Sequence, residues 1–242
     1  MNEASFPVRS LAEVPAVTME QMREVDRIMI EDLHIELMQM MENAGCNLAR
    51  LARRRFRPKR TVVLVGPGGN GGGGMVAARH LANWGLDVLV VLGREREALG
   101  PVPAHQLDVL ERMGVPVSTQ PQPGDLYLDA LIGYSLVGKP RGRPAELIGW
   151  LADQSAPILS LDTPSGVDVT TGEAGDPAVT ADATLTLAAP KTGLIGIGEV
   201  GELYVADISV PPAVYAAFEM AMPPDLFSES AVVRLVSSSR QP

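Results

Sequence analysis

The sequence predicts an α/β protein whose mostly parallel sheet is covered by helices on both faces. Three observations lead there. From Thr61 onward, short β-branched runs alternate with stretches whose apolar residues recur at three- and four-residue spacing. The first run, Thr61-Val-Val-Leu-Val65, is continuously apolar after its threonine, as a strand buried on both faces requires. Directly after it comes Gly66-Pro-Gly-Gly-Asn-Gly-Gly-Gly-Gly74, seven glycines in nine residues, which leads into the helical run Met75-Val-Ala-Ala-Arg-His-Leu-Ala82.

Residues 1–17 read as an irregular N-terminal arm. Thr18-Met-Glu-Gln21 is a capping box that opens a helix to about Ile30. A second helix is expected from about Ile35 to Phe56, with Leu37, Met40, Met41, Ala44 and Leu48 on one face and its methionines filling core space. Strands are expected at 61–65, 87–92, 115–118, 126–131, 157–161, 183–188 and 202–206, and helices at 74–84, 103–113 and 143–154. The spacing gives a single domain over 18–227, and the polar composition of 228–242 reads as a flexible, fraying tail.

Composition narrows the function classes. Of the 242 residues 46% are hydrophobic, enough for a sizeable core, but only 4% are aromatic, which argues against base-stacking platforms. The net charge of −9 also disfavours a nucleic-acid partner. Arg50, Arg53, Arg54, Arg55, Arg57, Lys59 and Arg60 form a local basic cluster, which reads as a solvated helix end suited to the C-terminal dipole. The single cysteine, Cys46, excludes an intrachain disulfide and any multi-cysteine metal site, and reads as an inert buried thiol on an apolar helix. His34, His80 and His105 are scattered without metal spacing. No apolar run reaches the roughly 18 residues of a membrane span, and Met1-Asn-Glu-Ala-Ser-Phe6 has no signal-peptide pattern, so the cytoplasm is the expected compartment.

Ligands of open parallel sheets bind beyond the carboxyl ends of the strands, so three loops should converge. The first is the glycine loop, where bare backbone and a helix N-terminus make an anion cradle, unless the loop is only a tight connection. The second follows the strand at 126–131 and carries Asp129, Gly133, Gly138, Lys139, Arg141 and Arg143. Its cations can pair with phosphates, while Asp129 among apolar neighbours needs donors or a cation; a surface loop with a structural aspartate is the plainer reading. The third, Leu161-Asp-Thr-Pro-Ser-Gly-Val-Asp168, places Asp162 at a strand end. That carboxylate can hold a ribose hydroxyl, act as an acid–base group, or merely cap the turn. Lys191, after the run Ala181–Pro190, either faces the same crevice or lies solvated in its turn.

Together these segments resemble the NAD(P)H-hydrate epimerase family, the YjeF N-terminal domain. The resemblance runs from about Thr18 to Pro212 and is carried by Met41-Glu-Asn-Ala-Gly45, Gly66–Arg79, Asp129-Ala-Leu-Ile-Gly133, Asp162-Thr-Pro-Ser-Gly166 and Ala189-Pro-Lys-Thr-Gly193, in family order. It implies a three-layer αβα sandwich with a Rossmann-like sheet and N-terminal helices, usually a homodimer. It implies interconversion of R and S hydrated NAD(P)H at C6 of the nicotinamide ring, without redox chemistry, for repair by a separate S-specific dehydratase. Gly69, Asn70, Gly71, Gly72 and Gly73 would hold the dinucleotide phosphates, with Gly133, Tyr134, Ser135, Leu136, Val137, Gly138 and Lys139 as the facing wall. Asp162 would contact the substrate as the acid–base group, and Asn70, Asp129 and Ser165 would ligate a potassium ion. The chain departs from the family pattern at Gly69 and Gly73, where asparagine and aspartate are usual, and at Tyr134-Ser135, where Thr-Gly is common.

Two other readings stay in view. Gly66-x-Gly68-x-x-Gly71 formally fits the fingerprint of an NAD(P)-dependent dehydrogenase, with Arg94 or Glu95 reading the ribose. Loss of the loop aspartate also suits a non-catalytic nucleotide-binding or scaffold module of the same fold.

Overall fold

The computed structural model describes residues 6–136 and 138–237. Nine strands form one sheet: β1 (Val8–Ser10), β2 (Arg60–Val65), β3 (Asp87–Leu92), β4 (Val117–Ser118), β5 (Leu126–Ala130), β6 (Ile158–Leu161), β7 (Ala183–Leu187), β8 (Glu202–Ala206) and β9 (Val232–Val236). Their spatial order is β1-β9-β8-β7-β6-β5-β2-β3-β4. Pairing is parallel except between β8 and β9. The helices are α1 (Met19–Arg27), α2 (Leu37–Leu51), α3 (Gly69–Asn83), α4 (Pro101–Arg112), α5 (Arg143–Ala152) and the short α6 (Pro212–Ala216). The expected α/β architecture is therefore present.

Burial explains the layers. Alternate residues of the central strands face opposite ways. Val63, Val65, Leu128, Ala130, Leu159 and Leu161 pack with Leu48, Met75, Leu81 and Leu107, under α2, α3 and α4. Val62, Leu64 and Tyr127 meet Leu147, Ile148 and Leu151 of α5. α1 and the helical turn Ile28–Asp32 after it close a third cluster, in which Met22, Val25 and Met29 pack with Val205 and Tyr215. The predicted capping box holds α1: Gln21 N donates to Thr18 Oγ1 at 3.2 Å, and Thr18 N to Gln21 Oε1 at 2.8 Å.

Three expectations need correction. Helix α3 begins at Gly69, not at 74, so most of the glycine run is helix rather than loop. Packing overrides the poor helix propensity of glycine there, as the site geometry below explains. The stretch 228–242 is not a uniformly polar tail, because Ala231-Val-Val-Arg-Leu-Val236 contains β9, and Arg234 pairs with Glu202 at 3.2 Å. Within the N-terminal arm, Val8–Ser10 are likewise ordered by pairing, with β1 running parallel to β9 from Val8↔Arg234 to Ser10↔Val236; residues 1–5 lie outside the described residues.

Candidate active site

The chain leaves β2 for β3 and β4 on one side, then returns to β5 on the other, so strand order reverses between β2 and β5. That reversal opens a crevice at the carboxyl ends of the strands. A cavity of about 920 Å³ lies there, within the range of small-molecule and cofactor sites.

On one wall stands the N-terminus of α3. The N–H groups of Gly69, Asn70 and Gly71 precede the first intrahelical bond, made by Gly72 N to Gly68 O at 3.1 Å. Gly68 and Gly69 are exposed, and a Cβ on either would meet open space. The glycines after them serve packing. A Cβ on Gly71 would collide with the Gly66 carbonyl, one on Gly72 with the Met41 thioether, and one on Gly74 would stand 2.6 Å from Ala130 Cβ. A Cβ on Gly73 would come within 2.8 Å of Leu161 Cδ2. Of the five predicted phosphate-holding positions, Gly69, Asn70 and Gly73 line the cavity, while Gly71 and Gly72 lie behind it.

The facing wall comes from the loop after β5. Gly133, Tyr134, Ser135, Leu136, Gly138 and Lys139 all line the cavity, and Val137 falls outside the described residues. A Cβ on Gly133 would stand 3.2 Å from Asn70 Cβ, so this loop meets the first turn of α3.

Behind that wall Asp129 is fully buried. Its Oδ2 accepts from Ser160 Oγ and Ser165 N, both at 2.8 Å, and its Oδ1 from Ser165 Oγ at 2.5 Å and Leu131 N at 3.3 Å. Burial raises its pKa, against the lowering effect of these donors. Asp129 and Ser165 thus meet directly but do not border the cavity, whereas Asn70 does. Among the described residues the side-chain amide nitrogen of Asn70, which is buried, has no hydrogen-bond partner.

At the end of β6 sits Asp162, 2% exposed. Its φ of 67° lies in the left-handed region, which among non-glycine residues favours aspartate and asparagine. Oδ1 accepts from Lys191 Nζ and, at 3.3 Å, from Leu187 N; Oδ2 accepts from Tyr134 N at 3.2 Å. Lys191 is 1% exposed and also donates to Thr186 Oγ1 at 3.0 Å and Leu187 O at 2.9 Å. The question left open for Lys191 is answered: it is buried, paired with Asp162, and borders the cavity.

Sequence reasoning missed Asp26. It lies on α1, borders the same cavity and accepts from the Tyr134 phenol at 2.5 Å through Oδ2. A signal was available, since Asp26 falls at helical spacing between the apolar Met22 of α1 and Met29 of the turn after it, where a carboxylate has no packing role.

The family described as YjeF-related protein N-terminus matches residues 37–193. The chain belongs to that family. It is 45% identical over 235 residues to the NAD(P)H-hydrate epimerase of Dehalogenimonas lykanthroporepellens, covering 94% of this chain and 95% of that one. The NAD(P)H-hydrate epimerase of Rhodopirellula baltica is 31% identical, over 84% of this chain and 88% of its own. A bifunctional NAD(P)H-hydrate repair enzyme of Hyperthermus butylicus is 37% identical over 75% of this chain, which spans only 36% of that protein. Among solved structures the crystal structure of yeast ynu0 superposes with a TM-score of 0.81 at 26% identity, over 92% of this chain and all of that one. The family match takes in Asn70, Asp129, Asp162, Ser165 and Lys191, while Asp26 precedes it.

Proposed function

We infer that this chain is an NAD(P)H-hydrate epimerase, inverting C6 of reduced nicotinamide rings that carry water across the 5,6 double bond. One observation carries the reading: a buried acid–base pair, Asp162 with Lys191, borders the same cavity as the open first turn of α3. The helix N-terminus suits a pyrophosphate, and the buried carboxylate suits proton transfer at the ring. Relatives at 45% and 31% identity that bear the epimerase name support it.

The residues divide the work. All three Lys191 ammonium donors are engaged, so this side chain orients Asp162 rather than supplying a proton of its own. Among the described residues Asp162 Oδ2 accepts a single hydrogen bond, from the Tyr134 main-chain N–H, and keeps lone-pair capacity for the substrate. The hydroxyl at C6 sits beside ring nitrogen N1, whose lone pair can expel it once protonated, so we take inversion to run by loss of that hydroxyl and readdition of water on the other face. No hydride moves.

The proposed potassium site fits the donor chemistry. The Asn70 amide, the Asp129 carboxylate, the Ser165 hydroxyl and the Ile132 carbonyl, which accepts from Ser165 Oγ at 3.3 Å, offer hard oxygen atoms only. Asp129 is fully buried, and no basic side chain pairs with it among the described residues. The unpartnered Asn70 amide, turned over, would present its oxygen instead. A bound cation there would neutralise buried charge and tie the glycine turn to the Gly133 loop.

Of the exposed apolar side chains near the site, Ile30 and Leu37 border the cavity, and Leu33 and Met38 beside them are the ones that support the proposed homodimer. The S-specific dehydratase that completes repair is either a separate chain or fused to this domain, as the bifunctional relatives suggest. No helix among the described residues is long and apolar enough to cross a membrane.

The test supplies R-form hydrated NADH to this protein together with an S-specific dehydratase, and follows recovery of NADH absorbance. Epimerase activity accelerates recovery beyond spontaneous epimerisation. A rate equal to the spontaneous one leaves a nucleotide-binding module.

A further inference from the structure

Inversion at C6 by hydroxyl loss and water readdition makes a geometric demand that one carboxylate on one face does not meet. The hydroxyl leaves from one face of the ring and water arrives at the other. A proton is therefore delivered on one side and removed on the opposite side. Asp162 stands at the strand ends and serves one face.

A second carboxylate enters the same cavity from a different wall. Asp26 comes from α1, and Tyr134 links it to Asp162: its phenol donates to Asp26 Oδ2 at 2.5 Å, and its main-chain N–H donates to Asp162 Oδ2 at 3.2 Å. One tyrosine thus holds the two carboxylates at its two ends. Burial raises the pKa of Asp26; the Tyr134 hydrogen bond opposes that rise, the negative charge of Asp162 adds to it, and Lys191 opposes it. Among the described residues no basic side chain forms an ion pair with Asp26, and its neighbour Arg27 is engaged with Glu24 and Asp32. An unpaired carboxylate on the apolar stripe of a helix is unfavourable for folding, so packing does not account for it.

We propose that Asp26, oriented by the Tyr134 phenol, is the second acid–base residue of the epimerisation and serves the ring face opposite Asp162. The proposal rests on the epimerase reading. In one direction the Asp26 carboxyl gives its proton to the C6 hydroxyl, the C6–O bond breaks, water leaves, and the N1 lone pair forms the C6=N1 bond. A water molecule then bonds to C6 from the other face. The π pair returns to N1, and Asp162 takes the proton that the water releases. In the reverse direction the two carboxyls exchange roles. Both are reset by proton exchange with solvent, and no electrons pass to or from another reagent.

The experiment compares wild type with Asp26→Asn, Asp26→Ala and Tyr134→Phe in the coupled assay with R-form hydrated NADH. Asp26→Asn keeps the side-chain shape and its oxygen partner for Tyr134 but cannot shuttle the proton. Its kcat should fall about 10²- to 10⁴-fold with KM little changed. Tyr134→Phe should fall less, because Asp26 keeps its carboxyl and loses only the phenol that orients it. Added formate should restore part of the activity of Asp26→Ala, an effect that a structural role would not produce. Wild-type rates in Asp26→Asn would overturn the proposal, as would a loss confined to KM. An inactive wild type would remove the epimerase reading and this proposal together, whereas an active wild type with an indifferent Asp26 removes only this proposal.

Discussion

Gly71 lies so close beneath the carbonyl oxygen of Gly66 that a Cβ on it would overlap that atom. The contact folds the end of β2 back over the first turn of α3. Alanine usually stabilises a helix relative to glycine, but here the backbone of Gly66 would have to move. Gly71→Ala should lower stability by about 3 kcal/mol or more, at the upper end of overpacking costs. Gly149 supplies the control, since it sits within α5 and a Cβ there meets nothing within 4 Å. Gly149→Ala should raise stability by about 0.5–1 kcal/mol. Urea midpoints of the two variants check both signs.

Asp162 and Lys191 form a buried pair, so removing either partner alone leaves an uncompensated charge. Lys191→Met should destabilise by about 3–5 kcal/mol, and Asp162→Asn combined with Lys191→Met should recover part of that loss. Both should lack epimerase activity. Asparagine is the informative replacement at 162 because it tolerates the left-handed backbone, whereas alanine adds strain of about 1–2 kcal/mol there. A double-mutant cycle by thermal unfolding, read beside the coupled assay, separates stability from chemistry.

The parallel core was legible because β2, β3, β5 and β6 are short β-branched or leucine-rich runs without polar alternation, which few other folds accept. Convergence of the loops around Asn70, Gly133 and Asp162 followed from the strand-end rule. The start of α3 was not legible. Glycine has poor intrinsic helix propensity, and only the proximity of Gly66, Met41, Ala130 and Leu161 shows why a helix of glycines is required. Leu161 Cδ2 takes up the space beside Gly73. β9 escaped because its five residues are diluted in a polar stretch, and its pairing with β1 joins opposite ends of the chain. Asp26 was overlooked for a related reason: its partner Tyr134 is 108 positions away.

If potassium binds between Asn70, Asp129 and Ser165, stability should depend on the identity of the cation. Potassium chloride should raise the unfolding midpoint above that in tetramethylammonium chloride at equal ionic strength, because a ligand specific to the folded state stabilises it by mass action. Ser165→Ala should remove the difference while leaving the response to general salt unchanged. Equal midpoints for wild type in the two salts would argue against the site, independently of any activity measurement.

Asp26 also makes a prediction for stability that runs opposite to its effect on rate. Its pKa is raised above the ordinary value of 3.8, chiefly by burial, so the folded chain binds this proton more tightly than the unfolded chain. The stability this group contributes is present below 3.8 and is lost as pH rises through the raised folded value. Asp162 and Lys191 are the charged groups that face it, and burial keeps the Tyr134 and Tyr215 phenols protonated throughout this range. Asparagine carries no charge at any of these pH values and still accepts from the tyrosine. Asp26→Asn should therefore unfold at a higher temperature than wild type near neutral pH. The gap should narrow as the solution is acidified and close near 3.8. Such a variant, more stable and slower, is the pattern expected where a site holds a charge that folding disfavours. Thermal unfolding of both proteins across this pH range measures it, and a constant gap would mean that Asp26 is not the titrating group.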